Sequence, residues 1–288
     1  MDEQEIVFST QLLFLAKFNN KVMNRTMRTW GVFLSLSVLL MGCGGAKESS
    51  SGIKGWYNMQ QQVFTANGVD NVMDNADQRK VYTEEYYAFT NMREDTTSSF
   101  GFGYYTFDGK KLVENNIFST GLLDSARSFD LLIEPHDAGY KQIIPEIMIA
   151  GVPNRLVEDY YKINFNKESD MDGVWKLDEY ISISNGDTTR FKRDQYKIFQ
   201  GGYFMFVQYF LDPVTKAPKK GFGFGNFELN KEEIIETNVF CSYPSVRGIP
   251  IRINLKKDSE NSFTQTIASD TNGTTSIEKY TRMPKRAK

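Results

Sequence analysis

Gly101 opens GFGYYTFDGKKLVENNIF and Gly223 opens GFGNFELNKEEIIETNVF, two stretches that align without a gap. Glu114, Asn116 and Phe118 in the first are matched by Glu236, Asn238 and Phe240 in the second. Two further pairs keep the same order. Lys80 opens KVYTEEYYAFT and Lys197 opens KIFQGGYFMFV; Val157 opens VEDYYKI and Ile277 opens IEKYTRM. The offsets are 117 (80 to 197), 122 (101 to 223) and 120 (157 to 277), and they change only across polar stretches where loops absorb insertions. Three blocks in one order read as a single unit written twice. The division falls at about residue 166, giving units over 52–165 and 166–288.

Each unit reads as short strands separated by turns. In the second they run 174–184, 196–199, 203–209, 222–229, 233–240, 249–255, 262–267 and 274–282. Asn185-Gly186, Asp108-Gly109 and Asn272-Gly273 supply residues that tolerate positive φ, as tight hairpins require. No segment of either unit keeps a helical period over ten residues, which argues against βαβ folds. Eight sequential antiparallel strands close most simply into an up-and-down barrel, and closure removes the edges that so many aromatic strands would expose. The fold class predicted is all-β, with two tandem eight-stranded barrels.

Composition narrows the chemistry. The 288 residues carry 34 basic and 36 acidic side chains, with none of the positive field that nucleic-acid binding needs. A lone histidine, His136, excludes multi-histidine metal sites and most catalytic triads. Two cysteines make no disulfide framework.

Gly173-Val174-Trp175 opens the second unit as Gly-x-Trp, and on this motif, the eight-strand meander and the unit length the chain resembles a tandem of lipocalin-like (calycin-type) barrels. The first unit places Tyr57 where alignment puts Trp175. Ahead of the units, Arg25 and Arg28 precede an apolar run from Gly31 to Met41, too short to span a bilayer. This is the pattern of a secretory signal. Its end, Leu40-Met41-Gly42-Cys43, resembles the lipobox of bacterial lipoproteins, which implies that Cys43 is acylated, with fatty chains such as palmitate, and becomes the mature first residue. Two or more acyl chains hold a membrane stably where one does not. Residues 1–42 are therefore expected to be a signal with a mis-assigned N-terminal extension, translation starting at Met23 or Met27, and 43–51 (CGGAKESSS) a polar tether. The expected location is the bacterial envelope, anchored in the membrane and outside the cytoplasm, on the periplasmic side or the cell surface.

Strand alternation nominates side chains for the lumens. Trp175, Leu177, Ile181 and Ile183 share a face, which puts Glu179 inward too, with Gln61 at the matching slot of the first unit. A polar group among inward apolar residues needs a partner, supplied by the barrel or by a ligand, unless it sits in water at the mouth. Glu114, Asn116, Glu236 and Asn238 share a face of their strand, as do Glu158 with Tyr160 and Glu278 with Tyr280 on the closing strands, followed by Lys162 and Arg282. If these face inward, a Tyr hydroxyl beside a cationic head could hold a ligand carboxylate. An outward Glu–Arg ladder is the competing arrangement and is slightly favoured for the closing strand. The glycines alternating with aromatics mark a barrel corner or room for a ligand.

The segment Glu168-x-Asp170-x-Asp172-Gly173 nearly matches a calcium loop but leads into a strand, with no flanking helices. Cys241 reads as a small buried residue and His136 as a solvated loop residue, not a haem ligand. No catalytic, metal or cofactor motif emerges. The leading functional expectation is an anchored lipoprotein that binds a small, mainly apolar ligand in its barrels. The alternatives are a structural or protein-interaction lipoprotein with side-chain-filled barrels, and an enzyme that uses inward carboxylates.

Overall fold

The computed structural model describes residues 52–74, 77–92, 98–120, 127–149, 152–164, 167–268 and 273–286. The signal, Cys43, the tether and the junction at 165–166 lie outside the described residues. The first half holds β1 (Gly55–Ala66), β2 (Val69–Asp74), β3 (Gln78–Tyr82), β4 (Tyr86–Asn91), β5 (Ser99–Phe107), β6 (Lys111–Ser119), β7 (Arg127–His136), β8 (Gly139–Ile149) and β9 (Val152–Ile163). The second holds β10 (Gly173–Ser184), β11 (Asp187–Arg190), β12 (Arg193–Gln200), β13 (Tyr203–Leu211), β14 (Pro218–Asn230), β15 (Glu233–Cys241), β16 (Pro250–Ser259), β17 (Ser262–Ala268) and β18 (Thr275–Arg282).

In each half the strands pair antiparallel in chain order and the last closes on the first. Trp56 lies opposite Ile163 and Ala66 opposite Asn154; in the second half Trp175 lies opposite Arg282. The other edge of β1 is shared, its start pairing with β3 and its end with β2. β10 divides the same way between β12 and β11. The ring therefore has eight staves, one of them broken into two short strands. β2 and β11 are additions to the predicted set: both are short and almost wholly exposed, so neither carries an apolar period. Each follows an Asn-Gly pair with both residues at positive φ (51° and 75° at Asn67-Gly68, 52° and 86° at Asn185-Gly186), the geometry that reverses a hairpin in two residues.

Three apolar clusters hold the molecule. One fills the base of the first barrel around Tyr82, Tyr87, Leu112, Leu131 and Tyr160. A second does the same in the other barrel with Phe199, Phe204, Phe227, Ile234 and Phe263. The third lies between the barrels. Val81, Ala88, Phe100, Phe102 and Phe118 meet Ile198, Met205, Phe222, Phe224 and Phe240, and each residue of the first set is the repeat equivalent of one in the second. Both halves thus present the same patch, as the subunits of an isologous dimer do. Tyr196 stacks on Phe102 at 4.0 Å, and the buried Trp56 indole donates to the Gln200 carbonyl at 2.8 Å.

The glycine rows serve corners more than cavities. Ile117 in β6 and Val239 in β15 bulge opposite the Phe102–Gly103 and Phe224–Gly225 steps, and a Cβ at Gly103 or Gly225 would lie about 2 Å from a backbone carbonyl of that neighbouring strand. Two residues earlier, Gly101 and Gly223 leave the space that the Phe89 and Phe206 rings fill.

Candidate functional site

The base of each barrel is closed by the chain that leads into it. Tyr57 donates its hydroxyl to the Ile53 carbonyl at 2.9 Å; in the second barrel the Trp175 indole donates to Met171 at 2.9 Å. Tyrosine and tryptophan do one job at one position, which accounts for the departure of the first unit from Gly-x-Trp. Burial pushes the Tyr57 hydroxyl up to about 12. Arg282 lies 4.1 Å from the Trp175 ring and donates to the Asp172 carbonyl at 2.7 Å. Trp175 and Arg282, nominated for ligand binding, are base closure.

Above the apolar base a polar layer crosses each lumen. In the first barrel Lys80 Nζ donates to Glu114 at 3.0 Å and to Gln142 at 2.8 Å. Gln142 donates to Glu158 at 2.7 Å; Tyr160 donates to Glu158 at 3.0 Å and accepts from Gln78. Tyr82 donates to Glu114. In the second barrel Lys197 donates to Glu236 at 2.5 Å, Gln265 contacts both at 3.3 Å, and Tyr280 donates to Glu278 at 2.6 Å while accepting from Gln195. These groups are all buried. Burial holds the Tyr82, Tyr160 and Tyr280 hydroxyls well above their ordinary range, reinforced by the carboxylates they touch. Paired and hydrogen-bonded on every side, the charges meet the condition for stable burial.

The structure therefore brings together six nominated residues in two layers: Glu114, Asn116 and Tyr160, then Glu236, Asn238 and Tyr280. The outward ladder expected of the closing strands is corrected, since Glu158 and Glu278 point inward beside Tyr160 and Tyr280. Gln61 and Glu179 are corrected the other way. A bulge at Gln60 in β1 and another at Asp178 in β10 insert one residue each, and a one-residue insertion turns every later side chain to the opposite face. Glu179 faces solvent, paired with Lys279 at 2.5 Å and Arg190 at 3.1 Å, and those bonds lower its carboxyl. Gln61 binds Asp74 outside, while Gln62 takes the inward slot and donates to Glu158 at 3.2 Å. Lys80, Lys197, Gln78, Gln195, Gln142 and Gln265 were not nominated. The two lysines were visible as identical residues heading both repeat blocks.

The two layers differ in their supply of donors. In the first barrel Asn91 donates to the Gln78 carbonyl at 2.9 Å and Tyr87 to the Asn116 carbonyl at 2.5 Å. The equivalent of Asn91 is Gln208, whose amide turns to the Tyr243 hydroxyl at 2.5 Å, and the equivalent of Tyr87 is Phe204. Gln195 Oε1 and Asn238 Oδ1 are thereby left buried without a partner, as is Arg193 Nε above them. Among the inward groups described in the first barrel, the Tyr140 hydroxyl lacks one. Phe204→Tyr should place a hydroxyl on Asn238 as Tyr87 places one on Asn116. It is expected to stabilise the protein by about 1 kcal/mol in denaturant titration; a loss of stability would show that the space beside Asn238 cannot take an oxygen.

The Glu158 carboxyl is pushed above its ordinary 4.5 by burial, against the opposing pull of Lys80 and of the Tyr160 hydrogen bond. The folded chain then holds this proton more tightly than the unfolded chain does. Its stabilising contribution is full below the ordinary value and is lost as pH rises through the raised one. Glu158→Gln is expected to flatten that part of the stability–pH curve, and an unchanged slope would assign it to another group.

The mouth of the second barrel is aromatic. The Arg193 guanidinium lies 3.7 Å from the Tyr180 ring centre, 4.6 Å from Phe210 and 5.4 Å from Phe191, and 3.7 Å from Glu278. Phe191 and Phe210 also line an outer cleft of about 540 Å³. A second cleft of about 550 Å³ surrounds His136, whose Nε2 meets Asp159 at 2.9 Å. The calcium-like acids are engaged elsewhere, Asp170 with Lys257 and Asp172 with the Gly201 amide, and no cluster suited to a metal ion occurs among the described residues.

No family model matches the chain, and no curated protein does. Among solved structures, a lipocalin-like protein from Bacteroides uniformis is similar, at 20% identity and a TM-score of 0.27, over 40% of this chain and 100% of that one. Strand order and closure of the last strand on the first make this chain a tandem of two closed, eight-stranded antiparallel up-and-down barrels.

Proposed function

We propose that this protein is a lipoprotein of the bacterial envelope, anchored through Cys43 outside the cytoplasm, in which the second barrel binds a small ligand and the first is its side-chain-filled structural partner. The observation that carries the reading is the donor deficit. The amide carbonyls of Gln78 and Asn116 are paired in the first barrel, while those of their equivalents Gln195 and Asn238 stand unpaired in the second. An unpaired buried carbonyl costs about 1–3 kcal/mol, a deficit that a bound molecule would remove. The paired amide carbonyls of the first barrel favour, for that half, the filled-barrel reading.

Two experiments test the two parts. Cys43→Ser is expected to move the protein from the membrane fraction to the soluble one and to remove the mass of the acyl chains; an unchanged distribution would refute the anchor. Native mass spectrometry of the wild-type chain should show a small-molecule adduct that disappears in Phe204→Tyr/Gln208→Asn, which rewrites the second layer in the image of the first. Adduct-free spectra from wild-type protein taken directly from the envelope would refute the binding role.

A further inference from the structure

We infer that the ligand of the second barrel is a neutral hydroxylated molecule, a sugar or polyol head with or without an apolar tail; the inference rests on the binding role proposed above. The unpaired atoms select the chemistry. Gln195 Oε1 and Asn238 Oδ1 are side-chain carbonyls on residues only 4% exposed, so the ligand must bring donors. The Gln195 orientation is set by its neighbours: Tyr280 spends its one proton on Glu278, so Gln195 must present its amide to Tyr280 and its carbonyl to the lumen. Arg193 Nε, unpaired at the mouth, is a donor and asks for an acceptor.

A hydroxyl group is the one common group that gives and receives together. An ammonium ion satisfies the carbonyls but offers Arg193 nothing and adds a second cation beside it. A carboxylate satisfies Arg193 but sets its lone pairs against the two carbonyls. The charges of the layer are already matched within the protein, Lys197 with Glu236 and Arg193 with Glu278, so no net charge is left for an ionic ligand to neutralise. Aromatic rings adjoin these groups, Phe206 packed with Asn238 against Gly223 and Phe210 4.6 Å from the guanidinium, and such rings suit the C–H surface of a carbon skeleton.

The test uses three probes with one tail: octyl β-glucoside, octylammonium and octanoate. Each is titrated below its micelle concentration into the full chain carrying Cys43→Ser, with binding read by saturation-transfer NMR and calorimetry. Octyl glucoside is expected to bind saturably, and Phe204→Tyr and Gln208→Asn, tested singly and together, should each weaken it by about tenfold, the worth of one hydrogen bond. Circular dichroism confirms that each variant is folded. Stronger binding of octanoate or octylammonium, sensitive to the same substitutions, would overturn the ligand class and leave the binding role standing. Equal binding of all three, or binding indifferent to the substitutions, would place recognition in the tail and overturn the inference. Silence from all three, together with adduct-free native spectra, would overturn the inference and the binding role alike.

Discussion

Lys80→Met is expected to lower the stability of the protein by about 3–5 kcal/mol, a large part of the 5–15 kcal/mol that a folded domain commands. The ammonium group is the only cation among the described groups that touch the first layer, and it bonds Glu114 at 3.0 Å and Gln142 at 2.8 Å. Methionine fills the same volume but leaves the buried Glu114 facing Glu158 without a counter-charge. The sign of the effect comes from the charge left behind, so a second change should reverse much of it. Glu114→Gln in the Lys80→Met background is expected to recover more than half of the loss, and the coupling between the two sites, read from a double-mutant cycle in urea, should exceed 1 kcal/mol. Additive effects would mean that the pair is solvated. Lys197→Met, with 2.5 Å to Glu236, should repeat the result in the second barrel.

Trp56→Ala is expected to cost a similar amount, about 3–5 kcal/mol, through a different mechanism. The indole is fully buried between the barrels, 5.3 Å from Phe224 and 6.2 Å from Tyr203, and its N–H holds the Gln200 carbonyl. Truncation opens a cavity in the shared patch and orphans that carbonyl. The two barrels should then unfold in separate steps, visible as a split transition in calorimetry and as new protease cleavage near the junction. A single, unshifted transition would show that the patch does not couple the halves.

Much of the architecture was legible because its signals are local and doubled. The gapless match of 101–118 to 223–240 set the repeat, and Asn185-Gly186 set a turn whose φ angles the structure bears out. All eight strands read in the second unit are present. The site was legible in part. Glu114 and Glu236 were placed together with Asn116 and Asn238 because the bulges of their strands, at Ile117 and Val239, fall beyond them; only Phe118 and Phe240 after the bulge turn to the patch between the barrels. Gln61 and Glu179 were misplaced because Gln60 and Asp178 carry ordinary side chains, so nothing in composition marks the inserted residue that reverses the alternation. Lys80 and Lys197 escaped for the opposite reason. Hydrophobic patterning assigns a lysine to solvent, and only the closed ring supplies the carboxylates, from strands far along the chain, that let it turn inward.

The shared patch between the barrels has an evolutionary reading. Two copies of one gene product meeting through that face would carry every substitution twice, so trading Tyr87 for phenylalanine would strip a hydroxyl from both lumens at once. Covalent duplication lifts this constraint. One copy can keep its amide carbonyls paired and lend rigidity, while its twin is free to shed internal donors.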